Sequence, residues 1–247
     1  MTITMRISIE LVPRNEAALL EELAIVRHHL SGVETINIPD LPRFDVRSWS
    51  GCVLTKQSFP HAIPHIRAID LHPDRPLPMG ALLVAHGIDE VLIITGDSIP
   101  GAIPRGSSLE IIRKFKKELP HIKIYAALDP YRSSIQQELD YLKQKLEAGA
   151  DGFFTQPFFD IRFMEIYADL LAEIPIFWGI SPVTTERSQA YWTRRNRVVF
   201  PKRFQPTLEW NQHFAKQALI FAKERGGHLY FMPIQTDIRS YLEPILQ

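Results

Sequence analysis

Short apolar segments with strand character alternate with helical segments from one end of this 247-residue chain to the other. The strand candidates, rich in β-branched and aromatic residues, are Ile7–Val12, Glu34–Ile38, Ile63–Ile69, Glu90–Thr95, Lys123–Leu128, Gly152–Thr155, Ile174–Ile180 and His228–Met232. Between them, Asn15–Leu30 places Leu19, Leu20, Leu23 and Val26 at helical spacing, and Ser133–Ala148 carries a Ser cap and a stripe of Ile135, Leu139, Leu142 and Leu146. Ser107–Leu119, Arg162–Ala172 and Leu208–Arg225 also read as helices, the first stopping before Pro120 and the last before Gly226-Gly227.

Alternation of this kind implies parallel strands joined by right-handed crossovers. Eight such units in a length close to the ~250 residues of one closed barrel predict a single (β/α)8 TIM barrel over residues 1–247. The rival is an open doubly wound sheet, which usually carries a glycine-rich turn after its first strand. Here that turn is Leu11-Val12-Pro13-Arg14-Asn15, without glycine. The longest irregular stretch is expected over Phe200–Thr207.

Composition narrows the function classes. Lys plus Arg and Asp plus Glu both number 28, so the chain lacks the net positive charge of a general nucleic-acid binder. The lone Cys52 cannot form an internal disulfide, and no Cys/His spacing suggests a metal site. No apolar run reaches the roughly 18 residues of a membrane span. Met1–Arg6 has no signal-peptide core, so a cytoplasmic location is the default expectation.

A barrel of this type places its active site at the C-terminal strand ends. The polar groups there are Glu10, Asn37, His65 (followed by Arg67 and Asp70), Thr95-Gly96-Asp97, Asp129, Gln156, Ser181 and Gln235. Glu10 lies between Ile9 and Leu11, where burial would raise its pKa and suit a general acid. It could equally pair with an arginine as a structural ion pair. Asp97 suits a catalytic loop or a simple turn cap. His65 reads first as a satisfied interior histidine. Gln156, in the apolar run Phe153–Phe159, needs partners for its amide. The basic stretches Arg113–Lys117 and Arg194–Arg203 read as solvated surface, or as a funnel for an anionic cofactor or polyglutamate tail.

Several of these segments, in order, resemble the methylenetetrahydrofolate reductase family. They are Ser8-Ile9-Glu10-Leu11-Val12-Pro13-Arg14, Pro64 through Asp70, Ile94-Thr95-Gly96-Asp97, Ala148 through Asp151 with Thr155-Gln156-Pro157-Phe158-Phe159-Asp160, Gly179 through Val183, and His228 through Phe231. The resemblance implies a barrel that reduces 5,10-methylenetetrahydrofolate to 5-methyltetrahydrofolate, with hydride from NADH or NADPH passing through bound FAD. It implies that Glu10 is the acid that assists ring opening, that Asp97 lies near flavin and pterin, and that Gln156 hydrogen-bonds the pterin. It further implies that Asn37, His65, Thr95, Gly96, Ala126 and Leu128 line the flavin and that Arg132 and Lys145 reach its phosphates or ribose. Phe204 or Phe200 would stack on the folate, and the enzyme would form a homo-oligomer.

The pattern also departs from the family. The segment Ala126–Ser133 lacks the histidine of the family's Tyr-Pro-x-x-His-Pro, with Arg132 nearby as a replacement phosphate contact. Thr95 stands where an arginine usually precedes Gly-Asp. The alternatives are a folate-binding barrel with methyl-transfer or demethylation chemistry, and a non-catalytic partner subunit. A Schiff-base aldolase is disfavoured because no lysine falls at a predicted C-terminal strand end.

Overall fold

A computed structural model describes residues 5–97 and 104–247. Residues 1–4, part of the stretch read above for a targeting signal, lie outside the described residues. Eight parallel strands close into a barrel in sequential order. They are β1 (Ile7–Glu10), β2 (Val33–Ile38), β3 (His61–Arg67), β4 (Glu90–Ile94), β5 (Lys123–Leu128), β6 (Gly152–Thr155), β7 (Ile176–Ile180) and β8 (His228–Phe231). The seam is β1 on β8, with Ile7 opposite Leu229 and Ile9 opposite Phe231.

The expected helices are present as α1 (Glu16–His29), α4 (Ser108–Glu118), α5 (Ile135–Ala148), α6 (Ile161–Leu170) and α8 (Leu208–Arg225). Their starts follow from side-chain caps. Ser107 and Ser134 each form a reciprocal capping box, and Asn15, Asp160 and Thr207 each accept one backbone N–H of the first turn. Among the described residues four α-helices lie outside the expected set: α2 (Ser48–Thr55), α3 (Gly80–Ala85), α7 (Glu186–Asn196) and α9 (Ile238–Leu246). The expected irregular stretch 200–207 is irregular, within a run that begins at 197. No helix among the described residues is long and apolar enough to cross a membrane.

Strand alternation sorts side chains between two cores. Outward residues such as Ile9, Ile36, Ile93 and Phe153 pack beneath the helices. Inward residues form layers inside the barrel. At the bottom, Arg6 donates to both carboxylate oxygens of Glu90 (2.7 and 2.8 Å) and to Thr35 (2.9 Å), while Tyr125 donates to Glu90 at 2.9 Å. This is the interior arginine–carboxylate pair; it uses Glu90 and not Glu10. Above it lies an aromatic layer in which Phe154 stacks on Phe177 at 4.1 Å and meets Tyr125 and Tyr230 edge-on at 5.1 Å. The site residues lie above that layer.

Candidate active site

Glu10, the last residue of β1, points into the barrel mouth with its side chain 14% exposed. The Tyr230 hydroxyl donates to its Oε2 across the seam. Burial raises the Glu10 pKa to about 7, and the Tyr230 bond restrains the rise. His65 Nε2 lies 3.9 Å from Glu10 Oε2. Burial drives the His65 pKa to about 3, so the ring is neutral and the two do not form an ion pair. Ser8 donates to Asn37 Oδ1, which turns Asn37 Nδ2 toward His65 Nε2 at 3.3 Å. On that network Nε2 accepts and the ring proton sits on Nδ1. His65 is thus an interior, neutral histidine with Nε2 partnered by Asn37.

Asp97 follows β4 through Gly96, whose φ of +90° is in the region that favours glycine. A β-carbon at Gly96 would also come within 3.2 Å of Arg67 Cβ and Cζ. Arg67 needs that approach, because its Nη2 donates to the Asp97 carbonyl at 2.9 Å while its Nε donates to Asp70 at 2.7 Å. The Asp97 side chain is left exposed. Gln156 follows β6 in the same way. Its N–H donates to the Leu128 carbonyl at 2.8 Å and its side chain is exposed. Gly179 on β7 holds this corner, with its N–H bonded to Thr155 Oγ1 at 2.8 Å and its carbonyl accepting from Phe158 N–H at 2.9 Å.

Asp97 and Gln156 line one cavity of about 720 Å³, together with Asp129, Trp192, Arg195 and Arg197 among others. Glu10 lines a different opening of about 420 Å³ on the same face, with Arg14, Glu22, Gln235 and Asp237. Two of these three groups thus share a cavity, and Glu10 opens separately. Glu10 is held toward the β1–β8 seam by Tyr230.

The other expected residues divide clearly. Asn37 and His65 are buried in the mouth, and exposed Thr95 has its Oγ1 3.2 Å from Ser108 Oγ. Ala126 and Leu128 face outward into the helix-covered core, since inward positions on β5 fall to Tyr125 and Ala127. Phe204 is not in the cavity wall. It packs at 4.3 Å on Phe200 and 4.5 Å on Trp210, so both candidate stacking rings are committed to an aromatic cluster. The aromatic rings that do line the cavity are Tyr131, Tyr191 and Trp192.

Arg132 and Lys145 are both engaged by protein partners, Arg132 at the exposed cavity wall and Lys145 beneath it. Arg132 Nη2 donates to Glu138 Oε2 at 2.5 Å, and the Glu138 side chain is 1% exposed. Lys145 Nζ donates to the Ala127 carbonyl at 2.5 Å and lies 4.1 Å from the Tyr141 ring centroid. Burial lowers its pKa to about 8. Lys145 does not reach the cavity wall.

Sequence reasoning assigned no role to Tyr230, Tyr191 or Trp192, and read Arg195 and Arg197 only as part of the basic stretch Arg194–Arg203. Alternation of His228, Tyr230 and Met232 along β8 was the available signal for Tyr230. The other four lie on or just after α7, where Trp192 is the one buried residue and no apolar stripe announces a helix.

Comparison with known proteins gives a consistent set of relatives. The sequence matches the Methylenetetrahydrofolate reductase family over residues 52–218. The 5,10-methylenetetrahydrofolate reductase of Escherichia coli (strain K12) is 27% identical over 148 residues, covering 57% of this chain and 50% of that one. The probable methylenetetrahydrofolate reductase (NADPH) of Caenorhabditis elegans is 26% identical over 189 residues, covering 65% of this chain and 28% of that one. The aligned segment thus spans half or less of these relatives' lengths. Among solved structures, an uncharacterized Clostridium thermocellum protein that binds two copies of 5-methyl-5,6,7,8-tetrahydrofolic acid superposes with a TM-score of 0.67 at 12% identity, covering 99% of this chain and 95% of that one. A 2,3-dimethylmalate lyase follows at 0.61 and 10%, with 94% and 76% covered. At such identities the likeness shows the fold alone.

Proposed function

The chain belongs to the methylenetetrahydrofolate reductase family, and on that premise we propose that it reduces 5,10-methylenetetrahydrofolate to 5-methyltetrahydrofolate, with NADH or NADPH as the source of reducing equivalents. The observation that carries this reading is Glu10, an inward carboxyl at a barrel mouth whose pKa of about 7 keeps a proton available near neutrality.

The chemistry asked of the protein is modest. Protonated Glu10 gives its proton to N10 as the N10–methylene bond opens, leaving an iminium at N5. The reduced nicotinamide supplies the hydride that the methylene carbon then accepts. One proton and one hydride are consumed, and Glu10 regains its proton from solvent. Gln156 offers both a donor and an acceptor to a pterin edge, and Asp97 offers an acceptor for its N–H groups. Tyr230 holds the acid in place.

The resemblance also implies FAD, with Arg132 and Lys145 on its phosphates. Lys145 does not fit that task, because it is buried and already satisfied by Ala127 and Tyr141, whereas Arg132 lines the cavity with its Nη2 held by Glu138. No step of the proposed reaction runs through a flavin.

The test is methylenetetrahydrofolate-dependent oxidation of NADH and NADPH by the purified chain, with and without added FAD. Glu10→Gln should lose about 100-fold or more in turnover while keeping folate affinity. A wild-type chain that binds 5-methyltetrahydrofolate but oxidises neither nucleotide under any of these conditions sinks the reductase reading in favour of methyl transfer or a partner subunit.

A further inference from the structure

We propose that Arg195 and Arg197, at the C-terminal end of α7, form an anion-binding subsite of the larger cavity and take the negatively charged end of the bound ligand, a carboxylate or a phosphate. The choice of ligands to test rests on the proposed function; the subsite itself rests on the following geometry.

Both residues line the cavity and both are exposed. Among the described residues neither guanidinium has a carboxylate within 4.0 Å, whereas Arg132 on the same wall is paired with Glu138. The cation available to an incoming anion therefore lies on α7, not on the β5–α5 unit. The Arg197 backbone carries a second sign. Its φ of 58° and ψ of 24° are left-handed, a conformation that Gly149 and Gly226 fill at the ends of α5 and α8. An arginine occupies a position that favours glycine, and its side chain is the gain. Val198 N–H bonds back to the Trp192 carbonyl at 3.2 Å, and Arg197 Nη1 reaches the Arg132 carbonyl at 3.4 Å, so the helix end and the β5 loop are tied together.

Complementing the helix dipole explains the basic residues of the last turn, Arg194 and Arg195, but not Arg197, a guanidinium beyond the helix end that lines a cavity. The same lining carries Asp97 and Asp129 beside the guanidinium groups, with Tyr191, 59% exposed, offering a ring face. A ligand that combines a hydrogen-bond-donating heterocycle with an anion matches that mixed lining. Two sources supply such an anion: the glutamate tail of a folate and the phosphates of a nicotinamide dinucleotide.

Equilibrium binding to the full chain separates them. The probes are 5-methyltetrahydrofolate, its triglutamyl form and the uncharged 5,6-dimethyltetrahydropterin, and, in parallel, NADH and the uncharged reduced nicotinamide riboside. The double variant Arg195→Gln/Arg197→Gln should weaken a charged probe by about ten-fold or more and leave its uncharged counterpart within about two-fold. Loss confined to the folates assigns the subsite to the tail; loss confined to NADH assigns it to phosphate. Arg197→Gly, which relaxes the backbone, should raise the thermal midpoint while lowering the same affinity, so misfolding cannot imitate the result. The proposal is overturned if the double variant binds every probe like wild type, or loses charged and uncharged probes alike. A wild-type chain that binds no folate in any form overturns the proposed function, and the NADH pair then still decides the subsite. Binding of neither class overturns both.

Discussion

Tyr230 and Glu10, 220 residues apart in the chain, meet at the barrel seam, where the phenol donates a hydrogen bond to the carboxylate. Burial raises the Glu10 pKa and this bond partly opposes the rise. Tyr230→Phe should therefore raise it further. Because the acid works when protonated, kcat/KM falls as pH climbs through about 7, and in the variant that alkaline limb should move to higher pH. A pH–rate profile reads this directly, and a limb that stays put or moves to lower pH removes Tyr230 from the acid's control.

Glu10 also couples stability to pH. Its folded pKa of about 7 exceeds its ordinary value of 4.5, so the folded state gains from its proton and loses that gain as pH rises toward 7. Glu10→Gln should flatten this dependence and stabilise the chain above pH 7 by up to about 3 kcal/mol. Urea unfolding of both proteins at pH 5 and pH 8 measures the difference. Equal shifts at the two pH values would contradict it.

The bottom of the barrel should behave in the opposite sense. Burial alone would raise the Glu90 pKa, but its bonds to Arg6, with help from Tyr125 and His61, outweigh that and lower it. The stabilisation is present above the ordinary carboxylate pKa and is lost as pH falls through the depressed one. Arg6→Ala should cost about 3–5 kcal/mol near neutrality by leaving a buried carboxylate without its partner. Thermal melts from pH 3 to pH 7 should show the variant's deficit shrinking toward acid.

Gly179→Ala tests how β7 supports Gln156. An added methyl would collide with the Thr155 carbonyl and come within 2.8 Å of Met232 Cε and 3.0 Å of the Gln156 carbonyl. The β6 end must move, taking the amide with it. Weakened folate binding is expected together with a loss of about 1–3 kcal/mol in stability, and titration with 5-methyltetrahydrofolate alongside chemical unfolding checks both.

Much of this was legible because barrel strands announce themselves twice, by apolar runs and by the polar residue that ends each run. Glu10, Asp97 and Gln156 were readable on that basis. The helices that escaped are less plain. α3 has six residues and α2 eight, α7 buries only Trp192, and in α9 the buried stripe Ile238, Tyr241, Leu242 and Ile245 is interrupted by Pro244. The cost fell on function, because α7 supplies part of the cavity wall. Phe204 was misread for a related reason: sequence shows an aromatic ring but not whether other rings already surround it.

The aromatic layer of Tyr125, Phe154, Phe177 and Tyr230 lies directly beneath the acid and separates it from the ionic network below. Bulk water therefore meets Glu10 from above, through the opening it shares with Arg14 and Gln235. Under the proposed function, a folate whose pterin rests on Asp97 and Gln156 leaves that second opening as the route by which the spent carboxylate draws its next proton, so that reloading the acid and releasing the product become separate events.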